Sequence, residues 1–256
     1  MKIGLCQFDM VWENRPANQE KIAAMLENCP EKGKIDWLIL PEMTLSGFSM
    51  NTQAATLDDK DTAFFSALAK KYAMNISYGG VQDGYNNLIT LNREGKIISS
   101  YSKIHLYSFA GEAEHYKYGE KQQTFELEGF RVTPAICFDL RFPYLFWNAA
   151  EKTDIYVVIA SWLAQRAEDW MTLLRARAME NQCYVAGVNR TGTDPFLPYS
   201  GNSMVFDPLG RVVADAKSVE GITVTQIDVN KEQVAKTRTR IPFFNDRKKA
   251  PPHMFA

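Results

Sequence analysis

Residues 37–42 read WLILPE and residues 154–160 read DIYVVIA. Each is a short apolar run with almost no alternation. A strand with one wet face alternates apolar and polar residues, so an unbroken run predicts a strand covered on both faces. Covering both faces of a sheet takes helices outside it, a second sheet, or both. The flanking sequence supplies the rest of such an α/β architecture. Strands are expected over residues 2–8, 75–81, 130–138, 183–188, 203–206 and 221–227. Residues 87–91 and 96–101 flank the turn-like segment Asn92-Arg93-Glu94-Gly95 and predict a hairpin. Helices are expected over residues 17–28, with Ile22, Met25 and Leu26 on one face, and over 59–72, with Phe64, Leu68 and Tyr72. Pro143 predicts the start of another helix. Residues 167–181 predict a fourth, with Trp170, Leu173, Leu174 and Ala178 facing inward. No linker, repeat or low-complexity segment interrupts this order, so one domain is expected across residues 1–256.

Composition narrows the function classes. The 256 residues carry a formal net charge of −1, which gives no electrostatic case for binding nucleic acid or an anionic membrane. The densest basic group, Arg247-Lys248-Lys249, reads as a solvated tail. The N-terminal MKIGLCQFDMVW lacks the apolar stretch and cleavage site of a signal peptide, and no apolar run reaches the ~20 residues that span a bilayer. Cys6, Cys29, Cys137 and Cys183 form no CxxC pair, so free thiols and a cytoplasmic location are expected. His105, His115 and His253 lack metal-ligand spacing, so no metal site is expected.

Three chemically active side chains stand at comparable places. Glu42 follows the run Leu38 to Pro41, Lys103 follows Ser100-Tyr101-Ser102, and Cys137 follows Pro134-Ala135-Ile136. Side chains just past strand ends of an open α/β sheet converge on one crevice. A carboxylate, an ammonium and a thiol gathered there can carry out acyl transfer. The carboxylate takes the thiol proton, the sulfur attacks, and the ammonium holds the oxyanion. Lys103 and the strand-end position are expected to favour the thiolate over a free cysteine's pKa of about 8.5.

LPEMTLSGF (40–48), YSKIHL (101–106) and ICFDLRFP (136–143) closely resemble the three signature segments of the nitrilase, or carbon–nitrogen hydrolase, superfamily. ASW (160–162), RARAMENQCYVAGVNRTG (175–192) and SGNSMVFDPLGRVV (200–213) extend the likeness along nearly the whole chain. The resemblance implies a four-layer α-β-β-α sandwich, a Glu-Lys-Cys triad, no cofactor and a homodimer. Residue by residue, it makes Glu42 the general base, Lys103 the oxyanion partner and Cys137 the nucleophile. Family members often carry a second glutamate between the lysine and the cysteine. Glu112 and Glu114 both fall in that window, and Glu114 is preferred because Gly119 follows it closely.

Within the superfamily, CFDLRFP and the compact length look most like the omega-amidase branch, which removes ammonia from monoamides of 2-oxo dicarboxylic acids. N-carbamoyl amidase, nitrilase and other small-amide hydrolase activities share the triad and stand as alternatives. A catalytically idle partner-binding protein would not be expected to keep all three residues. A dicarboxylate monoamide needs a cationic recess, for which Arg141 and Arg166 are candidates, and apolar walls, for which Phe48 and Trp162 are candidates. A backbone N–H at Phe138 is expected to help hold the oxyanion.

Simpler readings stand beside these. A lone strand-end cysteine is usually a small buried hydrophobe, and that reading is kept for Cys6, Cys29 and Cys183. His105 is read as a packed, structural residue. Arg141 has a possible local ion-pair partner in Asp139, and Arg175 and Arg177 have one in Glu180.

Overall fold

In a computed structural model of the chain, residues 1–227 and 232–247 are described. His253, Lys248 and Lys249 lie outside them. The chain first lays down Lys2–Gln7 (β1), Trp37–Ile39 (β2), Asn75–Gln82 (β3), Tyr85–Leu91 (β4) and Ile97–Ser102 (β5). Phe125–Leu127 (β6), Phe130–Ile136 (β7), Ile155–Ala160 (β8) and Tyr184–Asn189 (β9) follow. A small hairpin of Thr191–Thr193 (β10) and Pro198–Ser200 (β11) leads to Met204–Phe206 (β12), Val212–Asp215 (β13) and Gly221–Gln226 (β14).

Two six-stranded sheets result, in the orders β14-β1-β2-β3-β4-β5 and β13-β12-β9-β8-β7-β6. Both are mixed: β1, β2 and β3 run parallel, as do β7, β8 and β9, while the outer strands pair antiparallel.

The opening stretches show why the sheets pack face to face. Side chains alternate across a strand with period two. Trp37 and Ile39 point into the core between the sheets, and Leu38 and Leu40 into the layer outside the first. In β8, Ile155, Val157 and Ile159 face the inter-sheet core, and Tyr156, Val158 and Ala160 face outward. The outer layers are helices. Arg15–Asn28 and Asp59–Tyr72 cover the first sheet through Ile22, Leu26, Phe65 and Leu68. Pro143–Ala149 and Ala167–Asn181 cover the second through Leu145, Phe146, Trp170 and Leu174. This is the expected α-β-β-α sandwich.

One helix presents a different face from the one expected. In Asp59–Tyr72 the buried residues are Asp61, Phe65, Leu68 and Ala69, whereas Phe64 and Tyr72 are only partly covered. Asp61 is drawn inward because it closes a capping box with Asp58 and accepts from Arg15 and Gln19. No helix among the described residues is long and apolar enough to cross a membrane, and all four cysteines are free.

Candidate active site

Glu42 and Cys137 follow ends of the parallel strands β2 and β7, and Lys103 follows β5, which runs in the direction of β3 because two antiparallel pairings separate them. Glu42 sits in the turn after β2. That turn lies directly on β3, because Gly79 has no side chain: a Cβ there would stand 2.5 Å from the Met43 nitrogen and 2.7 Å from the Glu42 Cα. Thr44 locks the contact, donating through Oγ1 to the Pro41 carbonyl (2.6 Å) and accepting from the Gly79 N–H (3.0 Å). Lys103 follows β5 and is held by its N–H on the Asn86 carbonyl (2.8 Å). Gly119 packs against the same backbone; a Cβ there would fall 2.1 Å from the Ser102 oxygen.

Cys137 follows β7, which ends at Ile136, two residues short of the expected strand; its left-handed backbone conformation (φ 45°) opens a short 3₁₀ turn, Cys137–Arg141. L-residues adopt that conformation at a cost, so the surroundings must impose it. Asp139, fully buried, does so: it accepts from the Ile136 N–H (3.0 Å), the Tyr101 hydroxyl (2.7 Å) and the His105 N–H (2.9 Å). The His105 ring adds a contact from Nδ1 (2.8 Å) and stacks on Phe142. His105 is thus a structural partner of the nucleophile turn.

Around Cys137 lies a buried charge cluster. Lys103 Nζ reaches Glu42 Oε1 at 2.8 Å and Glu112 Oε2 at 2.9 Å, and all three side chains are inaccessible to solvent. Asn86 Nδ2 donates to Glu42 Oε1 (2.8 Å) and Glu112 Oε1 (2.9 Å). The Ser161 N–H, arriving from the end of β8, donates to Glu42 Oε2 (2.9 Å), and the Tyr107 N–H to Glu112 Oε2 (2.6 Å). The Phe48 ring lies 5.1 Å from Lys103 Nζ. Burial works against the Lys103 ammonium, but the carboxylates of Glu112 and Glu42 outweigh it and raise the lysine's pKa well above its ordinary range.

Two expectations are corrected here. The glutamate beside Lys103 is Glu112, not Glu114. Glu112 is fully buried on the short helix Glu112–His115, and Glu114, two residues on, faces solvent. The resting thiolate is not favoured either. Burial, then the charge of Glu42, push the Cys137 thiol well above the usual cysteine range; Lys103 pulls it down, but Glu112 adds to the rise. The cluster of two carboxylates and one ammonium carries a net negative charge, which disfavours a third anion. Burial and these charges favour the protonated sulfur, which leaves a carboxylate beside it a proton to take.

Cys137 opens onto a pocket of about 550 Å³. Phe48, Phe138, Arg141, Trp162 and Arg166 all line it. Arg141 does not pair with Asp139, which is committed to the nucleophile turn. It reaches Asp169 instead (2.6 Å) and lies over the Trp162 ring. The Arg166 guanidinium has no hydrogen-bond or ion-pair partner among the described residues, although its carbonyl accepts from Trp162 Nε1 (2.8 Å). Arg177 pairs with Glu180 as expected.

Trp12, Glu13, Tyr107, Asp194 and Tyr199 also line the pocket, and sequence reading named none of them. Glu13 accepts from Ser49 Oγ (2.5 Å) and Asn51 Nδ2 (3.0 Å), and Asp194 from Tyr199 and two N–H groups of its own hairpin. Tyr107 directly follows YSKIHL, and Asp194 and Tyr199 fall between the segments 175–192 and 200–213, just outside the matched motifs.

The fold and this site define a class: the chain belongs to the carbon–nitrogen hydrolase family, which it matches over residues 2–238. Among individual proteins, it is 33% identical to the 2-oxoglutaramate amidase of Bacillus subtilis, over 96% of this chain and 97% of that protein. It is 34% identical to the omega-amidase YafV of Yersinia enterocolitica, over 97% of each. Its fold superposes on XC1258 of Xanthomonas campestris, a CN-hydrolase superfamily protein crystallised with an arsenic adduct in its active site, with a TM-score of 0.89 at 33% identity over 96% of both chains.

Proposed function

We propose that this hydrolase is an omega-amidase: it cleaves the terminal amide of a short 2-oxo dicarboxylic monoamide, 2-oxoglutaramate or 2-oxosuccinamate, through a cysteine thioester, and releases ammonia. The observation that carries the reading is the unpaired Arg166 guanidinium on the wall of the pocket that Cys137 lines. A monoamide of this kind has a carboxylate at the far end from its reacting carbon, and a free guanidinium matches it. The likeness to proteins named for 2-oxoglutaramate and omega-amide hydrolysis supports the same substrate class.

In this reading Glu42 takes the Cys137 proton as the sulfur attacks the amide carbon. The tetrahedral oxyanion is held by Lys103 and by the backbone N–H of Phe138. That N–H lies in the first turn of a helix, where such groups lack intrahelical partners. Glu42 passes its proton to the departing nitrogen, ammonia leaves, and the acyl group remains on sulfur. Glu42 then takes a proton from water, whose oxygen attacks the thioester. Collapse yields the carboxylic acid, and the departing sulfur takes the proton back from Glu42, restoring the Cys137 thiol. Glu112 fixes Lys103 from the other side. The free thiols fit a cytoplasmic enzyme, and a homodimer is part of the reading on the family resemblance.

Ammonia release across 2-oxoglutaramate, 2-oxosuccinamate, glutamine, asparagine, butyramide, N-carbamoyl amino acids and simple nitriles tests it. The 2-oxo amides should exceed glutamine and butyramide in kcat/KM. An amino acid brings an ammonium that is costly to bury unpaired, by several kcal/mol. Arg166→Met should cost roughly 10- to 100-fold in kcat/KM for 2-oxoglutaramate, the worth of a hydrogen bond to a charged group, and leave butyramide turnover unchanged. Equal turnover of glutamine or butyramide by the wild type would overturn the substrate assignment. The chemistry requires no metal, and the described residues hold no cluster of three or more His, Cys, Asp or Glu side chains that could bind one. Exhaustive dialysis against a strong chelator should leave the rate unchanged, and loss of activity restored by zinc would contradict the mechanism.

A further inference from the structure

We propose that Asn86 is a positioning residue for the acid–base cluster: its amide holds Glu42 and Glu112 at one spacing around Lys103, so that both stay charged and Glu42 is ready to accept the thiol proton. The proposal rests on the amidase reading above.

The geometry is unusual in three respects. First, the two N–H bonds of one buried amide go to two different carboxylates, at 2.8 and 2.9 Å. These are the same oxygens, Glu42 Oε1 and Glu112 Oε1, that also face Lys103 Nζ. Second, the backbone carbonyl of Asn86 accepts the Lys103 N–H at 2.8 Å, so one residue fixes the lysine through its main chain and both glutamates through its side chain. Third, Asn86 Oδ1 is buried with no partner. A buried acceptor without a donor is destabilising, and native structures keep few of them. Flipping the amide would not relieve this, because it would aim an acceptor at two carboxylate acceptors. The orphaned oxygen is the consequence of presenting both N–H groups to the charged pair.

The charge arrangement explains what those N–H groups do. Two carboxylates that share one site resist ionising together, and one of them tends to hold a proton. A protonated Glu42 cannot act as base. Lys103 supplies one positive charge against two negative ones. The remaining compensation is dipolar: Asn86 Nδ2 to both glutamates, the Ser161 N–H to Glu42 and the Tyr107 N–H to Glu112. Among the described residues, the Cys137 thiol and the Tyr116 hydroxyl also face the cluster. The Tyr116 hydroxyl donates to the Ser49 carbonyl at 2.5 Å. Apart from the Lys103 ammonium, Asn86 is the group among these that bonds both carboxylates through one side chain.

The test is the pH dependence of kcat and KM with the best amide of the panel, for the wild type, Asn86→Leu and Asn86→Asp. Leucine removes both donors at similar volume, and aspartate is nearly isosteric but adds a like charge. Each change destabilises the doubly ionised pair, so the acidic limb of the kcat profile should move to higher pH by about one unit or more. KM above that limb should stay within about threefold, since Asn86 does not line the pocket. A uniform drop in kcat with the limb unmoved would show a merely structural residue and overturn the proposal, as would wild-type profiles. Failure of both variants to fold would overturn it too, because it would assign Asn86 to the core. A wild type that hydrolyses no amide on the panel would instead sink the amidase reading.

Discussion

Cys137→Ala should lower kcat by roughly 10⁵- to 10⁶-fold, the scale seen when an essential nucleophile is removed, while thermal unfolding stays close to wild type. The fold should survive because alanine keeps the Cβ at φ 45° and removes a thiol to which, among the described residues, only the Ser161 backbone N–H donates. The hold on the turn comes from Asp139, which the substitution leaves in place. Cys137→Ser should fare little better, since a hydroxyl gives up its proton far less readily than a thiol. Ammonia release measures the loss, and intact-mass spectrometry of the wild type with a slow amide should show an acyl adduct on Cys137. Near-wild-type turnover in the alanine variant would remove Cys137 from the mechanism.

Glu112→Gln should reduce kcat/KM by about 100-fold or more, whereas Glu114→Gln should stay within about twofold. Breaking a buried ion pair from one side costs about 3–5 kcal/mol, and the Gln amide would turn its NH₂ toward at least one of three existing donors: Lys103 Nζ, Asn86 Nδ2 and the Tyr107 N–H. Glu114 is exposed and outside the cluster. A second readout carries a sign. The Glu112 charge helps hold the Cys137 thiol above its ordinary range. Removing that charge should therefore make the thiol more acidic, and the pH profile of its alkylation should shift downward even as turnover falls. A loss of rate confined to Glu114→Gln, or an upward shift of the alkylation profile, would reverse the assignment.

Strands covered on both faces could be read from sequence, but the four-layer order came from the family resemblance. WLIL and DIYVVIA leave no polar position for a wet side, and each residue's parity then fixes which core it enters. The end of WLIL locates Glu42, and the ends of β5 and β7 locate Lys103 and Cys137. What escaped reading was orientation on short or curved elements. A helix turns about 100° per residue, so Glu112 and Glu114 point nearly opposite ways, and neither motif spacing nor Gly119 says which one faces Lys103. Asp139 and Arg141 are also two apart, and the 3₁₀ turn separates them. The partner that Arg141 finds, Asp169, is 28 residues away, beyond any local pattern. The thiol was misjudged because neighbouring lysine is visible in a sequence, while burial and the summed charge of two converging glutamates are not. Asp61 misled the reading of its helix in a similar way: a buried carboxylate looks like a surface residue until its capping partners are seen.

The reacting groups come from different slabs of the molecule. Glu42, Asn86 and Lys103 belong to the first sheet and its turns, and Cys137 and Ser161 to the second, with the Ser161 N–H on Glu42 as a direct strut between them. The reach from base to sulfur is therefore gauged by the side chains stacked between the sheets, Ile3, Trp37, Val157 and Ile159 among them. Trimming or swelling one of those residues changes the gap as a shim changes a caliper. A search for inactive yet folded variants should then find some of them deep in this hydrocarbon layer, with every residue that touches substrate intact.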